Sequence, residues 1–228
     1  MLILGLETTA AAASCALYRD GEMLALNYQR SKLTHSSTLL PMVEEMLAHA
    51  QLTIKDMDAV AVAQGPGSFT GVRIGVATVK GLCWGAEKKA VGVSTLEAMS
   101  RNAVFAVGES VICPVMDARR AQVYGAIFDG EGKRLCEDAA IAAEELAAQV
   151  KDTGKSALVL GDGWAVFEKA LQAQSIPYRV MPEPLRYQNA WGVCLAAADK
   201  EPKGADELLP VYLRLSQAER ERQERNKL

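Results

Sequence analysis

Gln64-Gly-Pro-Gly-Ser-Phe-Thr-Gly-Val-Arg-Ile-Gly75 is the stretch on which the reading of this chain turns. It follows Ala59 to Ala63, a short apolar run of buried-strand character, and leads into a helical segment reaching about Trp84. Glycines between a strand and a helix let a ligand approach the backbone, and the first helical turn offers unpaired N–H groups to an anion. Gly65, Gly67 and Ser68 are therefore candidates for a phosphate or carboxylate cradle. A tight strand-to-helix connection is the alternative. The stretch lacks both the Lys-Ser/Thr ending of a Walker loop and the spacing of a dinucleotide turn. Further along, Gly71, Gly75, Ala77, Gly81 and Gly85 form a small-residue helix face. Each glycine weakens a helix by about 1 kcal/mol relative to alanine, so the pattern points to close helix packing, internal or between subunits.

Working outward, Leu2 to Glu7 reads as a strand ending at Thr8 and Thr9, and Ser14 to Tyr18 as a second. Asp20-Gly21 turns the chain into a third, Glu22 to Gln29, making an antiparallel meander. Leu39, Leu40, Val43, Met46 and Leu47 recur at helical spacing from Thr38, with Pro41 in the first turn. Thr53 to Asp56 resembles a cap, and a strand at Ala90 to Val93 precedes a helix opened by Ser94 and Glu97 at capping-box spacing. The second half repeats the order. Val111 to Met116, Gln122 to Phe128 and Arg134 to Glu137 read as strands, followed by a helix at Ala143 to Val150 and a strand at Ala157 to Leu160. The small-residue loop Gly161-Asp-Gly163 then leads to a helix from Trp164. Two β-β-β-α-β-α units imply an α/β chain of two lobes, 1–107 and 108–215, the second degenerate. Beyond the second unit, a final helix near Asn189 to Ala198 and a strand near Leu208 to Leu213 precede 216–228, which reads as a charged, frayed or disordered tail.

The 228 residues carry 25 basic and 28 acidic side chains, a net charge of −3, which gives no strong field for holding nucleic acid unaided. Five scattered cysteines without a CxxC pair read as reduced thiols. No apolar run approaches a membrane span and the strand-like start is unlike a leader, so a cytoplasmic protein is expected. With only His35 and His49, a histidine-based metal site has little material. His35 is a ligand, a base or a structural hydrogen-bonding group, while His49 suits a helix C-terminus. In Asp117-Ala-Arg-Arg-Ala-Gln-Val-Tyr124 the paired arginines could fork onto a carboxylate or phosphate, or the segment is a solvated hairpin tip. Asp117 has the option of accepting hydrogen bonds from its own turn.

The glycine stretch, Gly92-Val-Ser-Thr-Leu96, Asp117 to Tyr124 and Pro210-Val-Tyr-Leu-Arg214 together resemble the TsaB (YeaZ) family, from Met1 to about Arg214. The resemblance implies the fold of actin, the sugar kinases and the Hsp70 ATPases, and a part in making N6-threonylcarbamoyladenosine at position 37 of tRNAs that read ANN codons. It implies a noncatalytic paralogue of TsaD, the subunit that transfers the threonylcarbamoyl group. TsaB pairs with TsaD, the ATPase TsaE joins them, and a homodimer is expected without TsaD. No tightly bound cofactor is expected, only ATP or ADP held weakly or shared with partners, and tRNA is met mainly through the complex. Thr8, Thr9, Gly65, Gly67, Ser68, Asp117 and Arg119 are the nucleotide or phosphate-loop candidates. The helix stripe implies a partner interface at Leu39, Leu40, Val43, Val72, Gly75, Val76 and Val79. The chain also departs from TsaD-like enzymes. Their HxxxH metal pair is reduced to His35 followed by Leu39, their acidic first turn is Ala10-Ala-Ala-Ala13, and Asp117 is not followed by glycine. A small-molecule kinase of the same fold and a glycoprotease-like metallopeptidase are the competing readings.

Overall fold

The computed structural model describes residues 1–31, 33–119 and 122–214; the tail expected at 216–228 and Arg120 lie outside the described residues. Strand β1 (Leu2–Glu7) is buried along its whole length because it runs between antiparallel β2 (Ala13–Arg19) and parallel β4 (Ala59–Ala63). With β3 (Glu22–Gln29) and β5 (Lys89–Val93) the first sheet has the order β3-β2-β1-β4-β5. Side chains alternate across it. Leu2, Leu4, Leu6, Val60 and Val62 face the long helices α1 (His35–Ala50) and α2 (Phe69–Ala86). Ile3, Ala59, Ala61 and Ala63 face the other way, toward α7 (Ala190–Ala198). That helix is apolar on all sides and mostly buried, with Trp191, Leu195 and Ala198 only partly covered. It lies so close that a Cβ on Gly5 would come within 2.8 Å of the Ala190 carbonyl oxygen.

The second sheet, β10-β9-β6-β7-β8, is built from β6 (Val111–Asp117), β7 (Gln122–Gly125), β8 (Ala139–Ala142), β9 (Ala157–Leu160) and β10 (Tyr178–Val180). Counted from each lobe's first strand, both sheets have the order 3-2-1-4-5. The duplication thus extends to a fifth strand that the sequence reading missed, because β10 has only three residues. Helices α4 (Ala143–Asp152) and α5 (Trp164–Ala173) cover one face. The other face is covered by α3 (Thr95–Ala103), through Leu96 and Met99 against Ile112, Phe128 and Leu160.

The lobes therefore exchange helices: α3 follows the first sheet in sequence but packs on the second, and α7 does the reverse. The division into 1–107 and 108–215 needs that correction. Three local expectations also change. The third strand of the second lobe is β8, not Arg134 to Glu137; that stretch folds back on Phe128 and Ile127 as a small hairpin outside the ladder. Helix α1 begins at His35, so Pro41 sits inside the helix, where its missing N–H removes one helical bond. No strand forms at Leu208 to Leu213; a 3-10 turn at Ala205–Glu207 is followed by an extended strap along α2. The short helix α6 (Glu183–Arg186) was not foreseen.

Candidate functional site

Between the lobes lies a cleft of about 560 Å³. One wall is the β1–β2 turn and the start of α2, contributing Thr9, Ala10, Gly67, Ser68 and Thr70. The other is the β6–β7 turn with the end of β9, contributing Asp117, Arg119, Tyr124 and Asp162. Five of the seven predicted phosphate-loop residues thus meet in one place, with Thr8 and Gly65 behind them.

Most of their polar groups are engaged within the protein. Ser68 N–H donates to the Thr9 carbonyl at 2.8 Å, and the Ser68 hydroxyl caps α2 by accepting from Gly71 N–H at 3.4 Å. Thr8 Oγ1 donates to the Gly71 carbonyl at 2.7 Å. A Cβ on Gly67 would lie 2.5 Å from the Thr9 carbonyl oxygen, and one on Gly71 only 2.0 Å from that of Thr8. These glycines let the helix start press against the β1–β2 turn, which is the connection reading of the motif. Below them Glu7 is buried, its carboxylate accepting from Thr9 N–H, and desolvation pushes its pKa up to about 7.

The opposite wall follows the same logic. Asp117 accepts from Arg119 N–H at 2.7 Å, so it serves its own turn, in which Arg119 takes a left-handed φ of 64°. Asp162 accepts from Asp117 N–H at 3.2 Å, and desolvation raises its pKa. Arg214 crosses the cleft to donate to the Ala118 carbonyl. Glu7, Asp162 and Arg214 were not among the predicted site residues. The Gly161-Asp-Gly163 loop and the Pro210 to Arg214 motif were the signals available for the last two.

His35 Nε2 is 2.8 Å from the Ala10 carbonyl oxygen, so this ring nitrogen carries the hydrogen and ties the alanine turn to α1. Leu39, four residues on, is core. His49 lies exposed in the last turn of α1. Among the described residues no group of three His, Cys, Asp or Glu could hold a metal ion, and no helix is long and apolar enough to cross a membrane.

The expected partner stripe is corrected by burial. Leu39, Val43, Val72, Gly75, Val76 and Val79 are all buried, packed by α1 and α2 against their own sheet; of the seven only Leu40, at 42%, is exposed. The outward face of α2 carries Ala77, Gly81 and Gly85, with open space above both glycines, and Trp84 is 87% exposed.

Comparison with known proteins bears on all of this. The family model TsaD, tRNA N6-adenosine threonylcarbamoyltransferase, matches residues 29–198. The chain is 33% identical to the tRNA threonylcarbamoyladenosine biosynthesis protein TsaB of Escherichia coli over 168 residues, 72% of each chain. It is 30% identical to TsaB of Bacillus subtilis over 224 residues, 96% of each. The structure of YeaZ from Pseudomonas aeruginosa, 29% identical, superposes with a TM-score of 0.77 over 93% of this chain and 99% of that one. The two sheets of matching order and their exchanged helices are the α/β architecture of actin, the sugar kinases and the Hsp70 ATPases, with a second lobe built on shorter elements. On sequence and on fold, this chain belongs to the TsaB (YeaZ) family of tRNA threonylcarbamoyladenosine biosynthesis proteins.

Proposed function

We propose that this chain acts in tRNA threonylcarbamoyladenosine synthesis as a noncatalytic subunit that pairs with TsaD and helps recruit TsaE, without carrying out the transfer. The observation that supports this best is the use of the cleft's groups. The β1–β2 turn has alanines where an enzyme of this fold needs polar side chains. His35 is bonded to the Ala10 carbonyl, and Asp117 to its own turn. Nucleotide is shared weakly with the partners rather than held by this chain, and with a net charge of −3 tRNA is met through the complex.

The pairing surface in this reading is the outward side of α1 and α2: Leu40, Ala77, Gly81 and Trp84. Small residues at Ala77 and Gly81 let a partner helix approach closely, and the exposed apolar groups supply the area such a contact buries. The same face would serve a homodimer in the absence of TsaD. Depleting this chain while TsaD is intact should abolish the modified nucleoside in digested tRNA. Persistence of the modification would sink the function. Tight MgATP binding by the isolated chain in calorimetry would instead favour a kinase of the same fold.

A further inference from the structure

The motif Pro210-Val-Tyr-Leu-Arg214 is absorbed neither by the partner reading nor by the cleft chemistry, and its placement is specific. After the 3-10 turn the chain is fastened to the first lobe at successive points. Lys80 Nζ donates to the Leu208 carbonyl at 3.1 Å, and Val211 N–H to the Gln64 carbonyl at 2.7 Å. The Tyr212 ring stacks on Phe69 at 4.4 Å with 8° between planes, and Arg73 Nε donates to the Tyr212 hydroxyl at 2.8 Å. Gly65 belongs to the same seat. Its φ is +120°, and a Cβ there would lie 2.2 Å from the Val211 carbonyl oxygen. The glycine that reads as part of an anion cradle is thus the place where the strap lies down.

Every one of those anchors is in the first lobe, yet the last described residue points elsewhere. Arg214 donates through Nη1 to the Ala118 carbonyl of the β6–β7 turn, between Asp117 and Arg119, and so joins the lining of the cleft. A planar guanidinium offers several donors in a fixed fork, which suits it to hold a backbone carbonyl across a gap. We propose that residues 208–214 are a latch: the strap, seated on α2, delivers Arg214 to the β6–β7 turn and ties the two lobes across the cleft. Strap docking and lobe closure are then one event. This inference stands whether or not α2 also carries a partner.

Hydrogen exchange on the full chain tests it. Arg214→Ala should speed exchange of the amides in the β6–β7 turn, Ala118 and Gln122, by about tenfold or more, while amides within α2 stay unchanged. Arg214→Lys, which keeps the charge but not the fork, should give a smaller acceleration. Tyr212→Ala, which touches only the first lobe, should loosen the strap and speed the same turn of the second lobe. Unchanged turn exchange in Arg214→Ala overturns the latch. So does a Tyr212→Ala protein whose strap exchanges fast while the turn keeps its wild-type protection. Should Tyr212→Ala fail to fold, the Arg214 variants decide alone.

Discussion

The two lobes solve one problem with matched parts and differ in what they leave over. In the first, Gly67 and Gly71 after β4 press against the carbonyls of Thr9 and Thr8 at the end of β1. In the second, Gly161 and Gly163 after β9 press against Val115 and Met116 at the end of β6, where a Cβ on Gly161 would lie 1.9 Å from the Val115 carbonyl oxygen. The glycine-rich loop in this chain is therefore a packing device of the repeat, used twice, before it is anything to do with a ligand. The difference lies in the helices. α1 and α2 have 16 and 18 residues, whereas their counterparts α4 and α5 have 10 each. The extra turns of the first lobe carry an outward face with Leu40, Ala77, Gly81 and Trp84, which its own sheet does not need.

That contrast can be broken experimentally, beginning where the effect should be largest. Val76→Glu places a carboxylate in the first lobe's core and should cost about 3–5 kcal/mol, seen in urea denaturation as loss of the first lobe. The charge-bearing variant that tests partner contact therefore belongs one residue further on. A smaller effect should come from Glu7. Its folded pKa, about 7, lies above the ordinary 4.5, so the native state binds the proton more tightly than the unfolded chain. Its contribution is most favourable below pH 4.5, is lost as pH rises toward 7 and is constant above, a swing of about 3 kcal/mol. Glu7→Gln should flatten that part of the stability–pH curve; an unchanged slope would assign it to other groups.

Next in size, Gly71→Ala forces a Cβ onto the Thr8 carbonyl and should cost about 1–3 kcal/mol, measured by thermal or urea unfolding. Gly163→Ala should behave alike in the second lobe if the two loops have the same duty. Near-neutral behaviour of either would separate them. Smallest in stability, within about 0.5 kcal/mol, is Ala77→Glu on the exposed side of α2. Its consequence should appear instead in co-purification with TsaD, which it should abolish, while Lys169→Glu on α5 leaves pairing intact. Retained pairing in Ala77→Glu would remove this face from the proposal.

Much of this molecule was legible in the residues, and the reasons are local. β1 to β5, α1 and α2 announce themselves through apolar runs, the Asp20-Gly21 turn and helical spacing, and the repeated order carries the fold. The gathering of Thr9, Gly67, Ser68, Asp117 and Arg119 around one cleft follows from that order, since both turns lie at the ends of the first strands of their sheets. What failed was any judgement that needed to know which side of an element faces inward by how much. The stripe from Leu39 to Val79 has the right periodicity for an interface and for a core alike, and only the presence of Leu4, Leu6, Val60 and Val62 beneath it decides for the core. Glu7 reads as the end of a strand; its burial and raised pKa come from neighbours distant in sequence.

By itself, then, the order of residues determined the types of the longer elements, the duplicated α/β plan and the family, because these rest on periodicity, turn chemistry and motif spacing along the chain. The tertiary structure alone decided that α3 and α7 change places between lobes and that the glycines serve backbone contact. It also decided that Arg214 spans the cleft and that α2 turns Ala77 rather than Val76 outward. Each of these depends on the approach of segments tens to hundreds of residues apart, where a difference of one or two ångströms separates a packed core from an open surface.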